Sequence, residues 1–263
     1  MSRLSWLTDQ QWATIEPFMP KNQTGARRVD DRQVIAGIIH VLKTGCRWVD
    51  CPRDYGPHTT IYNRFNRWSR KRFWTDMLEA LATAGAVTKS TSIDSTYVKA
   101  QRSAFGGKKG AKAQGIGPSR GGQTSKLHIL TDVIGRPFAL RLTFGNVGNV
   151  CGAELLMNEL RDVKYLIADK GYDADIYRKN LKDRGARPVI PGRSNRKRKI
   201  VYDKRCYRER HLVENAFCRL KDFRRIATRY DKLGRNFLSA AAIATIVAFW
   251  ISKNAAEAKR QRI

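Results

Sequence analysis

Acid is what this sequence has least of. Only 23 Asp and Glu stand against 51 Lys and Arg in 263 residues, a formal net charge of +28 with a sequence pI near 10.4. That is far from the near-balanced charge of an ordinary cytosolic enzyme and calls for a polyanionic partner. Long apolar runs are missing too. The longest, Phe237 to Ile251, is broken by Ser239 and Thr245 and falls short of the roughly 20 residues of a membrane span, so it reads as a buried core helix. The first residues, MSRLSWLTDQ, lack the apolar stretch of an export signal. Cysteine is odd in number and scattered (Cys46, Cys51, Cys151, Cys206, Cys218), which excludes a disulfide framework and points to a reducing, cytoplasmic setting with free thiols. With membrane and export set aside, nucleic acid is the polyanion expected.

Several familiar motifs are also missing. Residues 106–122 (GGKKGAKAQGIGPSRGG) hold seven Gly, four basic residues and no acid, yet neither GxxxxGK[ST] nor GxGxxG is present, so a nucleotide-cradling loop is set aside. The segment, with Arg120 in it, reads as a mobile basic loop lying along phosphates, a plain linker being the alternative. His40, Cys46, Cys51 and His58 match no compact zinc spacing. No internal repeat is visible. What is present, 42% apolar residues in periodic blocks, excludes a disordered basic tail and predicts a folded chain.

The charge divides unevenly. Residues 1–88 carry +5 and residues 89–263 carry +23. The first part reads as helical. Thr8 caps a helix that ends before Pro17, and Asp30 or Asp31 caps a second that runs until Gly45 with Val34, Ile35, Ile38, Val41 and Leu42 on its apolar side. Thr59 or Thr60 opens a third helix with Ile61, Phe65 and Trp68 along one side and Arg64, Arg67 and Arg70 elsewhere, a plausible recognition helix, and a fourth covers about Phe73 to Ala84. A helical domain that only packs or dimerises is the alternative. After Ala86 the pattern becomes β-rich: Ser92–Val98, Leu127–Val133, Phe138–Phe144, Tyr165–Ala168 and Arg187–Ile190. Helices are expected over Gly152–Arg161 and Ala174–Arg184, with a long one from about Tyr207 to Arg225. This alternation predicts an α/β layered sheet, preceded by a small all-α, helix-turn-helix-like unit.

In so basic a chain, acids in strands stand out. Asp94 lies in one β run, and Asp169 follows Leu166, Ile167 and Ala168 at what would be a strand's C-terminal edge, where open α/β sheets bind ligands. Asp173 is expected to cap the next helix, and Asp132 to end a strand near Gly135. On the long helix, at about 100° per residue, Tyr207, Arg210, Glu214 and Lys221 share a sector of about 60°, opposite Val213, Ala216, Phe217 and Leu220. A plain solvated face with an Arg210–Glu214 pair is the competing explanation. Three carboxylates brought together would hold hard divalent cations, above all Mg²⁺. Two such ions about 3.5 to 4 Å apart suit an in-line phosphodiester displacement.

Together, Ile93-Asp94-Ser95-Thr96, Ala168-Asp169-Lys170-Gly171-Tyr172-Asp173 and Tyr207-x2-Arg210-x3-Glu214-x6-Lys221 resemble the DDE transposases of bacterial insertion sequences, specifically the insertion sequence five family. So do Ser119-Arg120-Gly121-Gly122, the stretch Pro191–Arg196, the stretch Arg225–Lys232, and Tyr55-Gly56-Pro57 with Tyr62, Arg64, Phe65 and Trp68. The resemblance implies an RNase-H-like mixed sheet flanked by helices, with Asp94, Asp169 and Glu214 as catalytic and metal-binding triad. It also implies two Mg²⁺ per site, replaceable by Mn²⁺, and no covalent protein intermediate. Expected divisions are 1–88, binding the element's terminal inverted repeats; 89–254, the catalytic part; and 255–263, a basic tail. Lys221, Arg210, Tyr207, Arg120, Arg193, Arg196, Arg64 and Arg67 are the expected contacts to double-stranded DNA, met by a homodimer assembled on DNA at the bacterial nucleoid. Two other readings share these features: an RNase-H-like nuclease that cleaves without joining, and a basic DNA-binding repressor. Strand transfer between paired ends separates the three.

Overall fold

The computed structural model describes residues 4–20, 29–106 and 110–252. Thr8 opens α1 (Asp9–Ile15) through a reciprocal capping box with Gln11, and Asp30 caps α2 (Asp31–Thr44) by accepting the backbone N–H groups of Arg32 and Gln33. Gly45 ends α2 at φ +78°, a left-handed conformation that glycine adopts without a Cβ penalty. Helix α3 (His58–Arg70) starts slightly earlier than the threonines suggest. It begins directly behind Pro57, whose restricted φ sets the entry, and no side chain caps it. Helix α4 (Phe73–Gly85) completes the helical unit.

Strand β1 (Ser90–Ala100) is the centre of a mixed seven-stranded sheet. After it come α5 (Gly110–Gln114), β2 (Gly117–Ser119), β3 (Gly122–Thr131) and β4 (Pro137–Phe144), in an antiparallel arrangement about β3. Then follow α6 (Asn149–Glu154), β5 (Tyr165–Ile167), α7 (Asp175–Asp183) and β6 (Arg187–Val189), with β5 parallel to both β1 and β6. All five expected strands form. The basic segment expected to be a loop is partly regular, since α5 and β2 occupy it; residues 107–109 lie outside the described residues, as does the expected tail at 255–263.

The expected long helix is segmented. It runs as α8 (Lys204–Tyr207), a 3-10 turn at Arg208–Arg210, α9 (His211–Lys221) and α10 (Arg224–Ala227). Phe223 takes an extended conformation between the last two and buries its ring, so tertiary packing overrides helical continuity. A two-residue strand, β7 (Thr228–Arg229), pairs with the far end of β1. The apolar run expected as a core helix is α11 (Gly234–Thr245), continued by a π-helical turn through Trp250.

The helical unit and the sheet share one core. Buried residues of α2 to α4 are continuous with Val98, Leu127, Phe217, Phe223 and the whole inner face of α11. Arg225, 6% exposed, joins the halves: its guanidinium lies 5.4 Å from both the Trp48 and Tyr230 rings and donates to the Cys46 carbonyl.

Helix α6 comes equally close to the sheet. A Cβ added at Gly152 would stand 2.0 Å from Cε1 of the buried His128 ring, and that ring is held by Thr143 at 2.9 Å. Gly152→Ala is therefore expected to lower stability by about 1–3 kcal/mol, the usual cost of overpacking. Urea denaturation would register this as a lower midpoint with an unchanged slope.

Candidate active site

The sheet register brings the two aspartates together. Ser92 pairs with Ile167 in the parallel β1–β5 ladder, and two residues further along each strand lie Asp94 and Asp169. Asp169 stands just past the C-terminal edge of β5, and its Oδ1 accepts the Gly171 N–H at 2.8 Å. Helix α9 supplies Glu214. Arg210 ties the third acid to the first, its guanidinium 2.7 Å from Glu214 Oε1 and 3.5 Å from Asp94 Oδ2. The i,i+4 pair between Arg210 and Glu214 therefore exists, as the plain helix-face reading supposed, but the same guanidinium also reaches the strand aspartate.

Burial dominates the electrostatics of the site. Burial pushes the Asp94 carboxyl up to about 6, against the pull of the Ser95 N–H and Arg210, while Asp169 and Glu214 raise it further. Tyr172 is wholly buried beside these acids. Desolvation, with the Asp94 and Asp169 charges, drives its phenol well above the usual range, and its hydroxyl makes no well-formed hydrogen bond. Tyr207, half-buried, stacks edge-on with Tyr202 at 5.3 Å and is pushed up mainly by burial, Asp169 and Glu214 adding to it.

All three acids offer hard oxygen donors. With a desolvated Asp94 and an unpartnered Tyr172 hydroxyl alongside, the donor set fits a divalent cation. The Arg210 guanidinium bridges Asp94 and Glu214, and among the described residues no three His, Cys, Asp or Glu side chains form a closed metal cluster.

The cationic residues separate into two groups. Lys221, Arg120, Arg67 and Arg70 are exposed: Lys221 at the end of α9, Arg120 in the β2–β3 turn, the other two on α3. Three other expected DNA contacts, of which Arg193 is also exposed, hold partners within the fold. Arg64 pairs with Asp31, donates to the Val29 carbonyl and lies over Trp68. Arg196 grips Asp173 at 2.6 Å and Asp175 at 2.7 Å. Arg193 donates to the Lys170 and Gly171 carbonyls, clasping the turn that carries Asp169. Carboxylates draw in Arg64 and Arg196, and backbone carbonyls hold Arg193, partners that spacing along the chain did not reveal.

Asp173 is likewise not a helix cap. Ala174 takes that position, and the buried Asp173 carboxylate instead receives Arg178, Arg196 and the Arg193 N–H. Asp132 closes its turn with the Arg136 N–H and guanidinium, at 2.8 and 2.9 Å. Asn149 stands at the start of α6 beside Ser95 and Gly171.

Similarity to known proteins follows the same division of the chain. Residues 87–249 match the family described as "Transposase DDE domain", and residues 7–78 that described as "Putative transposase of IS4/5 family". A Brucella ovis protein named "Putative transposase for insertion sequence element IS6501" is 38% identical over 125 residues, 46% of this chain and 94% of that one. A Burkholderia cepacia protein similarly named for IS402 is 33% identical over 119 residues, 41% of this chain and 54% of that one. Among solved structures, a piggyBac transposase synaptic complex with hairpin DNA superposes with a TM-score of 0.56 at 12% identity, covering 95% of this chain and 72% of that one. At that identity the likeness is one of fold.

Proposed function

The chain belongs to the transposase DDE domain family, and from that membership we propose how this DNA transposase divides its work. Asp94, Asp169 and Glu214 are the catalytic and metal-binding residues. The observation that carries this is that the parallel pairing of β1 with β5 sets Asp94 and Asp169 side by side while the Arg210 guanidinium joins Asp94 to Glu214. DDE transposases use divalent metal ions; Mg²⁺, with Mn²⁺ as substitute and two ions per site, suits this all-oxygen donor set. Bound there, such ions supply Lewis-acid stabilisation of the charge that develops on the oxygens exchanged at phosphorus. The chain's own residues do the rest. Burial of Asp94 and Tyr172 keeps bulk water from the inner side of the site, Arg210 holds Glu214 toward the strands, and Arg193 fixes the turn bearing Asp169. No covalent protein intermediate is required.

Residues 1–88 are the end-recognising unit, seated on the catalytic part 89–254 through their common core rather than tethered loosely to it. Helix α3 presents Tyr62, Asn63, Arg67 and Arg70 to the outside. A cleft of about 890 Å³ opens between this helix and the segment after β7, with Tyr62, Asn63, Asn66, Tyr230 and Lys232 on its walls. From Arg193 to Lys232 there are 15 basic and 5 acidic residues, so duplex DNA runs across this segment. Joining two ends to one target calls for two sites, hence a homodimer assembled on DNA. Among the described residues no helix is long and apolar enough to cross a membrane. A chromosomal DNA substrate would be met at the nucleoid.

The test is strand transfer with the inverted repeats that flank the coding region. Transfer of paired 3′ ends into a target supports the transposase, whereas cleavage without joining supports the plain nuclease. End binding should also weaken by about 10³-fold or more between 50 and 200 mM salt, as six or more phosphate contacts imply. Lys221 is exposed and two helical turns beyond Glu214. Lys221→Ala should lower the slope of log affinity against log salt by about 0.9, and Lys221→Arg should restore it; a slope that ignores Lys221 removes it from the DNA path.

A further inference from the structure

Lys126 on β3 is a buried cation, 3% exposed, and among the described residues it forms no salt bridge. Its ammonium donates to the Val147 carbonyl at 2.6 Å and to Asn149 Oδ1 at 3.1 Å, and lies 4.7 Å over the Tyr97 ring. Ser95, the residue after Asp94, donates its hydroxyl to the same Asn149 oxygen at 3.2 Å. An ammonium has donors only, so it decides which way the amide lies. The carbonyl oxygen of Asn149 must face inward to Lys126 and Ser95, and Nδ2 must face away.

What Nδ2 faces is the catalytic edge. A Cβ built on Gly171 would lie 2.9 Å from Asn149 Nδ2 and 2.9 Å from Asp169 Oδ1, so this donor and that carboxylate border the same α-carbon. Asp169 Oδ1 already accepts the Gly171 N–H, and among the described residues Nδ2 has no acceptor. Ser95 and the buried Lys126 ammonium thus orient a donor that the protein itself does not use. An acceptor from outside would complete it, and beside Asp169 the acceptor this chain's substrate offers is a phosphate oxygen.

We propose that Asn149 contacts the substrate: its Nδ2 donates to a non-bridging oxygen of a DNA phosphate at or next to the scissile bond, with Lys126 and Ser95 as the residues that position it. The proposal rests on the assignment of Asp94, Asp169 and Glu214 as the active site. It extends that site by a neutral hydrogen-bond donor on the side away from Arg210 and α9.

The experiment uses the full chain and end DNA carrying a single neutral methylphosphonate, placed at each phosphate around the cleavage position in turn. Binding is measured in EDTA, so that no metal contributes. Wild-type protein should lose about tenfold in affinity at one of these positions. Asn149→Ala should lose a similar factor on ordinary DNA and nothing further when the methylphosphonate is at that position, the signature of two partners in one contact. In single-turnover cleavage with Mg²⁺, Asn149→Ala should fall about 10²-fold, in the range seen when one preorganised oxyanion donor is removed. Asn149→Asp keeps the acceptor for Lys126 and Ser95 but loses the donor, so it should be no faster than Asn149→Ala. Lys126→Met, which frees the amide to turn, should move binding and cleavage the same way by a smaller factor.

A thermal midpoint within a few degrees of wild type for Asn149→Ala excludes a merely structural loss. The assignment is overturned if Asn149→Ala cleaves at the wild-type rate, or if methylphosphonate losses in the two proteins simply multiply at every position. Because the binding comparison needs neither metal nor cleavage, it judges Asn149 independently of whether the carboxylate variants are active.

Discussion

Asp94→Asn, Asp169→Asn and Glu214→Gln should each abolish cleavage and strand transfer in Mg²⁺ or Mn²⁺, a fall of about 10³-fold or more, while end binding stays within a few-fold of wild type. Each change removes one charge and one ligand oxygen's basicity at nearly constant shape, so the loss should exceed that from one oxyanion donor, about 10² to 10³. The three differ in surroundings. The Asp94 side chain is 13% exposed against 52% for Glu214, and burial pushes its carboxyl up, so Asp94→Asn removes a desolvated charge and should leave the fold at least as stable. Glu214→Gln loses the charged partner of an i,i+4 pair in which the Glu214 side chain is 52% exposed, worth about 0.3–0.5 kcal/mol to the helix, and should hardly move the midpoint. Thermal unfolding beside a gel-based cleavage assay separates the two effects; full activity in any one variant removes that residue from the site. The same inactive proteins probe assembly. Mixed with wild type, an end-binding triad variant should depress paired-end transfer more than dilution predicts, and a strictly proportional fall would reject the dimer.

Most of what positions these carboxylates was legible in the sequence because it is local. Capping residues, the αL glycine after α2 and the apolar spacing of α2 are read within one or two turns, and each is where the pattern places it. The β-rich runs at Asp94 and Asp169 were visible as well, and parallel pairing then sets the two acids side by side. What escaped notice depends on contacts distant in the chain. The long helix breaks at Phe223 because that ring belongs to a core shared with α2 and α11, and β7 exists only because β1 is long enough to pair with it. Charge was the least legible property. Arg64, Arg193 and Arg196 were expected as DNA contacts, and their partners Asp31, Asp173 and the Lys170–Gly171 turn, distant in the chain, add a role in the fold. The contacts of Asn149 escaped for a related reason: they depend on Lys126, 23 positions earlier in the chain.

Asp173→Ala is expected to be the most destabilising single change in the catalytic part, at about 3–5 kcal/mol near pH 7, the cost of removing one partner from a buried ion pair. Its side chain is fully enclosed and accepts from Arg178 at 2.8 Å, from Arg196 at 2.6 Å and from the Arg193 N–H at 2.8 Å. Removal leaves Arg178, itself 11% exposed at the side chain, with only the Ile190 and Pro191 carbonyls. Burial alone would raise this carboxyl, but the three donors together hold it well below the usual carboxylate range. A depressed folded-state value gives the sign: the stabilisation is complete above the unfolded value of about 3.9 and is lost as pH falls below it. The gap between wild type and Asp173→Ala in urea midpoint should therefore be constant from about pH 5 to 8 and narrow toward pH 2. Activity should suffer beyond stability, because Arg193 holds the Lys170 and Gly171 carbonyls and its own N–H is anchored on Asp173. Even at a temperature where Asp173→Ala remains folded, the turn bearing Asp169 loses its outer support, and single-turnover cleavage should drop by about 10- to 100-fold, the usual effect of removing a supporting interaction behind a metal ligand. A gap in midpoint that persists unchanged at pH 2 would show that the carboxylate's charge is not what stabilises this corner, and an unimpaired cleavage rate in the folded variant would show that the Asp169 turn stands without it.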